Sequence, residues 1–161
     1  MAERTREEAI RTLAAMIADI PVAMLTTTNP RGWLRSRPMV VQEEPFDGTL
    51  WFFTSGNAAK AADIRDRRQV NVSFAAPYRD RYVSVSGVAA VIDDADLRRR
   101  LWNESYRPWF PQGLDDPDLR LIKIEAEEAE YWDPAEGRMV HVPELYVPKP
   151  GFGQMQPETG I

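Results

Sequence analysis

Several residues that could bind a phosphate follow one another where a short apolar strand gives way to a helix. Thr54 and Ser55 supply hydroxyl groups, and Gly56 allows a close approach of the backbone. Asn57 is predicted to cap a helix whose first N–H groups lack intrahelical partners, and Lys60 follows one turn later. Hydroxyls, unpaired N–H groups, a helix dipole and an ammonium together indicate a phosphate site. Spacing alone favours the alternative, an ordinary strand-to-helix turn with a surface lysine, because such turns are common.

Two arginines stand two positions apart on another predicted strand. Side chains alternate along a strand, so Arg35 and Arg37 share one side and Ser36 lies on the other. Such a pair could bind an anion, and the alternative is a solvated strand face. Pro38 has no N–H donor, which predicts an edge strand or a position that faces a ligand.

An aromatic loop interrupted by prolines spans residues 106–113. Trp109 and Phe110 could stack on a planar ligand or fill a subunit interface. The alternative interpretation is that these aromatic side chains pin the loop to the core.

The residue counts exclude several kinds of catalytic site. The absence of Cys excludes thiolate nucleophiles and cysteine-based metal sites, and the single His141 excludes a multi-histidine metal site within one chain. The sequence also lacks a Gly-x-Ser-x-Gly nucleophile motif, so His141 is interpreted as solvent-facing or hydrogen-bonded. The glutamates within residues 125–130 have no His or Asp at metal-ligand spacing and are predicted to form a solvated turn. No metal site is predicted, and any redox chemistry would need a bound cofactor.

Length and charge set the broad class of protein. The 161 residues suit one domain, predicted over residues 1–142, followed by a Pro- and Gly-rich tail over residues 143–161. A net charge of −5 argues against a nucleic-acid partner. No apolar run approaches the ~20 residues that cross a membrane. A cysteine-free, arginine-rich chain fits a bacterial cytoplasm.

Hydrophobic periodicity predicts the elements that must position these side chains. A helix is predicted over about residues 5–20, where Thr5 and Glu8 have the spacing of a capping box. Asp93 or Asp94 is predicted to cap a later helix, and Gly87 predicts a bulge or a close backbone approach. The predicted strand segments are Val22–Thr28, Trp33–Gln42, Thr49–Thr54, Val70–Phe74, Tyr82–Ile92, Leu119–Ile124 and Ala129–Trp132. About six hairpin-linked strands favour a mainly β (α+β) protein, an antiparallel sheet or small barrel with helices outside it.

Taken in order, these features resemble one family. The chain is similar, over roughly Glu7 to Val140, to small bacterial general stress proteins of the pyridoxamine 5′-phosphate oxidase-like, FMN-binding split-barrel superfamily. The motifs that carry the resemblance are Leu25-Thr26-Thr27, Ser36-Arg37-Pro38-Met39, Trp51-Phe52-Phe53-Thr54-Ser55 with Lys60, Tyr82-Val83-Ser84-Val85-Ser86-Gly87, Trp109-Phe110-Pro111 and Glu130-Tyr131-Trp132-Asp133. The resemblance implies a six-stranded antiparallel split β-barrel and a homodimer with FMN in two clefts at the subunit interface.

The resemblance also implies a role for individual residues. Arg37 and Lys60 would hold the FMN phosphate, helped by Thr54 and Ser55. The strand from Arg37 to Gln42, which includes Pro38 and Met39, would run along the isoalloxazine. Ser86 and Gly87 would approach the ring from the other subunit, and Trp109 and Trp132 would help wall the site.

Two departures from the oxidase pattern bear on activity. Ala59 stands where the pyridoxamine-phosphate oxidases have an arginine before the lysine, so one phosphate donor is missing. Those oxidases end with an Arg-x-His-x-Arg run, whereas here His141 comes one place late after Arg138 and Pro143 follows. These differences disfavour oxidation of vitamin B6.

Three hypotheses follow from the sequence. The leading one is a flavin-dependent oxidoreductase in which reduced nicotinamide reduces FMN, which then reduces an unidentified acceptor. The second is a non-catalytic flavin-binding module for storage or sensing, because no acid or base is evident in the predicted cleft. The third keeps the fold and replaces FMN with a deazaflavin coenzyme; haem is disfavoured because His141 is the single imidazole. The acceptor is not specified by the sequence.

Overall fold

Seven strands and three α-helices form within residues 5–145, the part of the chain that the computed structural model describes. In chain order they are α1 (Arg6–Ile17), β1 (Val22–Thr28), β2 (Leu34–Val40), β3 (Thr49–Ser55), α2 (Ala59–Asp66), β4 (Gln69–Ala76), β5 (Arg81–Ile92), α3 (Ala95–Leu101), β6 (Leu119–Asp133) and β7 (Arg138–Val142). Residues 146–161 of the predicted tail lie outside the described residues. No helix within residues 5–145 has the length and apolarity to span a membrane.

One antiparallel sheet carries the fold, in the order β2-β1-β4-β5-β6-β3. The terminal strands β2 and β3 are not paired with each other, and this gap splits the barrel. The predicted six-stranded antiparallel split barrel with peripheral helices is therefore confirmed. The short strand β7, which pairs with β6, was not predicted. Pro38 lies on the edge strand β2, as its missing N–H donor predicted.

Helix α1 begins where the capping box predicted and ends early. The Thr5 hydroxyl accepts from the Glu8 N–H, and the Glu8 carboxylate accepts from the Thr5 N–H. The helix ends at Ile17 because Ala18 leaves the helical region, with ψ 140°, and Asp19 adopts φ 63°. Its apolar face packs against the main core inside the curled sheet.

The prediction of a solvated turn at residues 125–130, which contain several glutamates, is wrong, because these residues belong to strand β6. The strand is continuous over 15 residues, with Ala126 and Ala129 buried and the glutamates between them exposed. The register with β5 shifts at Ser86/Gly87, which leaves Glu127 as an extra residue opposite them. The bulge breaks the strict alternation of apolar and polar residues, and the sequence therefore resembled a turn.

A second, smaller core lies beneath α3 and the loop that follows it. Phe53 is at its centre, with the Tyr106 ring centroid 5.9 Å away and that of Trp102 5.4 Å away. Phe110 also packs against Phe53, at 6.2 Å between centroids. These contacts fix the aromatic loop to the barrel.

Candidate functional site

The structure places Arg37 of β2 close enough to Lys60 of α2 for their charges to interact, although they are 23 positions apart in the chain. The Arg37 Nη1 donates to the Leu25 carbonyl oxygen at 3.2 Å and to the Thr27 hydroxyl at 2.7 Å. Lys60 is half-buried, and its ammonium makes no hydrogen bond or ion pair with any residue in the described range. Burial, and then the nearby Arg37 guanidinium, lower the pKa of Lys60. Two half-buried cations whose charges repel each other could be stabilised by an anion.

Asp63 is a third member of this cluster that the sequence interpretation missed. It is a buried carboxylate on α2, 7% exposed and three residues after Lys60. Burial lowers the pKa of Arg37, and the Asp63 carboxylate opposes that shift. The signal was available, because residues three apart share one face of a helix. Asp63 balances only part of the positive charge, so the cluster of Arg37, Lys60 and Asp63 keeps a net positive charge.

Thr54 and Ser55 end β3, immediately before α2. Thr54 is fully buried, and its hydroxyl donates to the Ser55 carbonyl oxygen at 3.4 Å. The Ser55 hydroxyl donates to the Asn57 side-chain oxygen at 2.5 Å. The prediction that Asn57 caps the helix is wrong, because this bond engages its side chain and the N-cap is Ala58. No side chain caps α2, so its first N–H groups face the same end of the helix as Lys60.

The predicted site residues divide between two faces of the sheet. Arg37 pairs with Leu25, Leu25 pairs with Val72, and Val72 pairs with Val85, all on the core face. Ser86 follows Val85, so its side chain lies on the opposite, outer face. A single chain therefore does not bring Ser86 to the Arg37–Lys60 cluster.

The remaining predicted residues are dispersed. Pro38 and Trp132 follow the strand alternation to the outer face, whereas the side chain of Met39 is buried in the main core. A Cβ on Gly87 would lie 2.2 Å from the Glu125 carbonyl oxygen, so β6 accounts for the glycine without a ligand. Trp109 is 61% exposed.

Gln42 lines a cleft of about 690 Å³ that opens beside the end of β2. The cleft lies between the C-terminal end of α1, the β2–β3 connection and the residues after α3. The Tyr106 hydroxyl donates to the Gln42 side-chain oxygen at 3.3 Å. The sequence analysis selected Trp109 from the same loop, through the motif Trp109-Phe110-Pro111, and assigned no role to Tyr106. Of the predicted site residues, Gln42 alone lines this cleft.

His141 lies on β7 at the surface. Its Nε2 is 3.3 Å from a Glu128 carboxylate oxygen. The prediction of a solvent-facing, hydrogen-bonded histidine is confirmed.

Comparison with known proteins decides the family. A model described as pyridoxamine 5′-phosphate oxidase like matches residues 8–148. The chain belongs to this family. The chain is 27% identical to the protein bli-3 of Neurospora crassa over 135 residues, and the match covers 78% of this chain and 65% of that protein. It is 31% identical over 83 residues to general stress protein 26 of Bacillus subtilis, covering 50% of this chain and 59% of that protein.

The chain spans less than two thirds of the length of each of these two curated relatives. Among solved structures, it resembles the general stress FMN/FAD binding protein of Xanthomonas citri with a TM-score of 0.66 and 29% identity. That match covers 78% of this chain and 88% of the other. The similarity agrees with the split-barrel fold described above.

Proposed function

We propose that the protein binds FMN and acts as a flavin-dependent oxidoreductase that takes electrons from reduced nicotinamide. The observation that carries the proposal is the pair of half-buried cations, Arg37 and Lys60, whose charges are close enough to interact. A dianionic phosphate between them would offset their mutual repulsion and their burial. When bound, FMN would supply the redox chemistry that the side chains of this chain lack.

The protein side of this site is built from fixed donors. The Leu25 carbonyl and the Thr27 hydroxyl engage Nη1 of Arg37, and the remaining N–H groups of the guanidinium can bind a phosphate. Lys60 and the first N–H groups of α2, which no side chain caps, would add further donors. Thr54 and Ser55 fix the backbone from which α2 starts. This donor set fits a phosphate ester, which both FMN and a deazaflavin coenzyme carry.

A homodimer is part of the proposal. Ser86 and Trp132 lie on the outer face, so they would reach a cofactor held by Arg37 and Lys60 only from a second copy of the chain. Each cofactor would then be bound by residues of two subunits.

The decisive experiment is an absorbance spectrum of the purified protein, followed by mass spectrometry of the ligand released on denaturation. We expect flavin absorbance, or its gain on titration with FMN, and released FMN rather than a deazaflavin. Protein that carries no flavin and does not bind added FMN would refute the proposal. Oxidation of reduced nicotinamide above the rate of free FMN would separate the oxidoreductase from the storage or sensing alternative.

A further inference from the structure

The cleft beside Gln42 has a charge opposite to that of the Arg37–Lys60 cluster. Its lining includes four carboxylates and one guanidinium. The carboxylates are Asp19 after α1 and Glu43, Glu44 and Asp47 in the β2–β3 connection, and the guanidinium is Arg100 of α3. All five of these residues are exposed. The cleft therefore repels anions and attracts cations.

Aromatic side chains form part of its wall. Tyr106 is 5% exposed and is held edge-on to Trp102, with the ring centroids 5.8 Å apart. Trp51 also lines the cleft, and its ring lies 5.8 Å from the ammonium of Lys123, which pairs with Glu125 at 3.1 Å. Fixed rings of this kind favour a flat apolar ligand over a flexible polar one.

Polar groups at the aromatic wall suit a cation. Burial, and then the Glu43 carboxylate, raise the pKa of the Tyr106 hydroxyl, which stays protonated and donates to Gln42. The Glu43 carboxylate therefore lies close enough to Tyr106 for its charge to act on that hydroxyl.

The cleft also lies within reach of the Arg37–Lys60 cluster. Val40 and Trp51 line the cleft, and each is three residues along its strand from a member of the predicted phosphate site, Arg37 or Thr54. Three residues of extended strand span about 10 Å. One end of the β2–β3 gap therefore carries positive charge, and the other carries an acidic, aromatic cleft.

We propose that this cleft binds a planar aromatic cation, which would be the electron acceptor of the proposed flavin site. The assignment of this cation as a substrate rests on the proposed function, whereas the proposal that the cleft binds a cation does not depend on it. The charge of the cleft disfavours anionic ligands within the cleft itself.

The test is a comparison of two probes with one ring system. The cation 9-aminoacridine and the anion acridine-9-carboxylate are titrated into the full chain and followed by fluorescence. We expect the cation to bind with a Kd about tenfold or more below that of the anion, and to weaken as salt is added. Equal affinities for the two probes, or no binding of the cation, would overturn the proposal.

Charge variants with matched controls locate the binding site. Glu43→Gln should raise the Kd of the cation by about two- to fivefold, and Arg100→Gln should lower it by a similar factor. The controls are Glu136→Gln in the β6–β7 turn and Arg99→Gln beside Arg100, neither of which lines the cleft. Equal effects of the control and cleft variants would place the bound cation elsewhere and refute the proposal.

Titrations in the presence of FMN distinguish this proposal from the proposed function. We expect 9-aminoacridine to bind equally when the protein is saturated with FMN. Displacement of the probe by FMN would assign the cleft to the cofactor and overturn the proposal. A chain that fails to bind FMN but binds the cation with the expected dependence on Glu43 would keep the cation site and refute only the flavin function.

Discussion

At the scale of single residues, Gly87 shows how a neighbouring strand can leave no room for a side chain. A Cβ at this position would lie 2.2 Å from the Glu125 carbonyl oxygen and 3.2 Å from the Ala126 Cα. Both are backbone atoms of β6, which cannot move without shifting the ladder. Gly56 is a useful contrast, because there the nearest atom is a flexible side-chain carbon of Arg120, at 3.2 Å.

Gly87→Ala should therefore destabilise the protein by about 1–3 kcal/mol or more, the usual cost of overpacking. The measurement is the free energy of unfolding in urea. Gly56→Ala is the control and should cost less, because the Arg120 side chain can move aside. Wild-type stability of Gly87→Ala would mean that the bulge in β6 adjusts without cost.

Lys60 is the residue on which the proposed phosphate site depends most directly. Lys60→Ala should weaken FMN binding by about 1.5–3 kcal/mol, because it removes a charged partner of the phosphate. Arg138→Ala is the control, since Arg138 lies on β7 and is paired with Glu136. Titration monitored by flavin fluorescence gives both affinities, and equal values would show that the phosphate binds elsewhere.

At the scale of elements, the β1–β2 hairpin positions Arg37, and a single asparagine organises its turn. The side-chain oxygen of Asn29 accepts from the N–H groups of Arg31 and Trp33, both at 3.0 Å. Asn29 is buried, so its loss would leave these donors without a partner.

Asn29→Ala should lower the free energy of unfolding by about 1–2 kcal/mol. Asn57→Ala is the matched control, because Asn57 is exposed and does not cap α2. Thermal or urea unfolding of both variants checks the difference. A larger loss of stability for Asn57→Ala would indicate that Asn57 caps α2, as the sequence predicted.

The loop after α3, which holds Tyr106, carries a pH-dependent contact. Hydrogen bonds from Arg107 and then from Trp102 lower the pKa of Glu104 to about 2. A carboxyl with a lowered pKa stabilises the fold above its unfolded value of 4.5, and that contribution is lost as the pH falls toward 2. NMR titration should give a midpoint near 2 for Glu104. Arg107→Ala should return it toward 4.5, and an unchanged midpoint would contradict the assigned cause.

At the scale of the whole molecule, the outer face of the sheet supports the proposed homodimer. Met24 pairs with Pro38 on one side and Ser73 on the other, and this row continues through Ser84 to Glu130. Exposed apolar side chains lie in this row or beside it. They are Met24 at 39%, Tyr82 at 38% and Met139 at 41%. Small polar residues between them leave a surface that a second sheet could contact closely.

Met24→Glu should weaken the dimer, because it would bury a carboxylate at the proposed interface. Leu114→Glu is the control, since Leu114 is also 39% exposed but lies outside the sheet. Sedimentation velocity over a concentration series gives the dissociation constants, and an increase of about tenfold is expected for Met24→Glu alone. A monomeric wild-type chain would refute the dimer.

The sequence by itself determined the features that depend on neighbours along the chain. The Thr5 capping box, the hairpin between β1 and β2 and the edge position of Pro38 rest on local sterics and hydrogen bonding. The resemblance to a family supplied the split barrel and pointed to Arg37 and Lys60.

Only the tertiary structure decided which distant residues meet. It set Lys60 and Asp63 against Arg37, separated Ser86 onto the other face, and joined the residues 119–133 into one strand. It also opened the acidic cleft around Gln42 and Tyr106, which are 64 positions apart. Strand order and register arise from burial summed over the whole sheet, and such pairings leave no periodic signal in the local sequence.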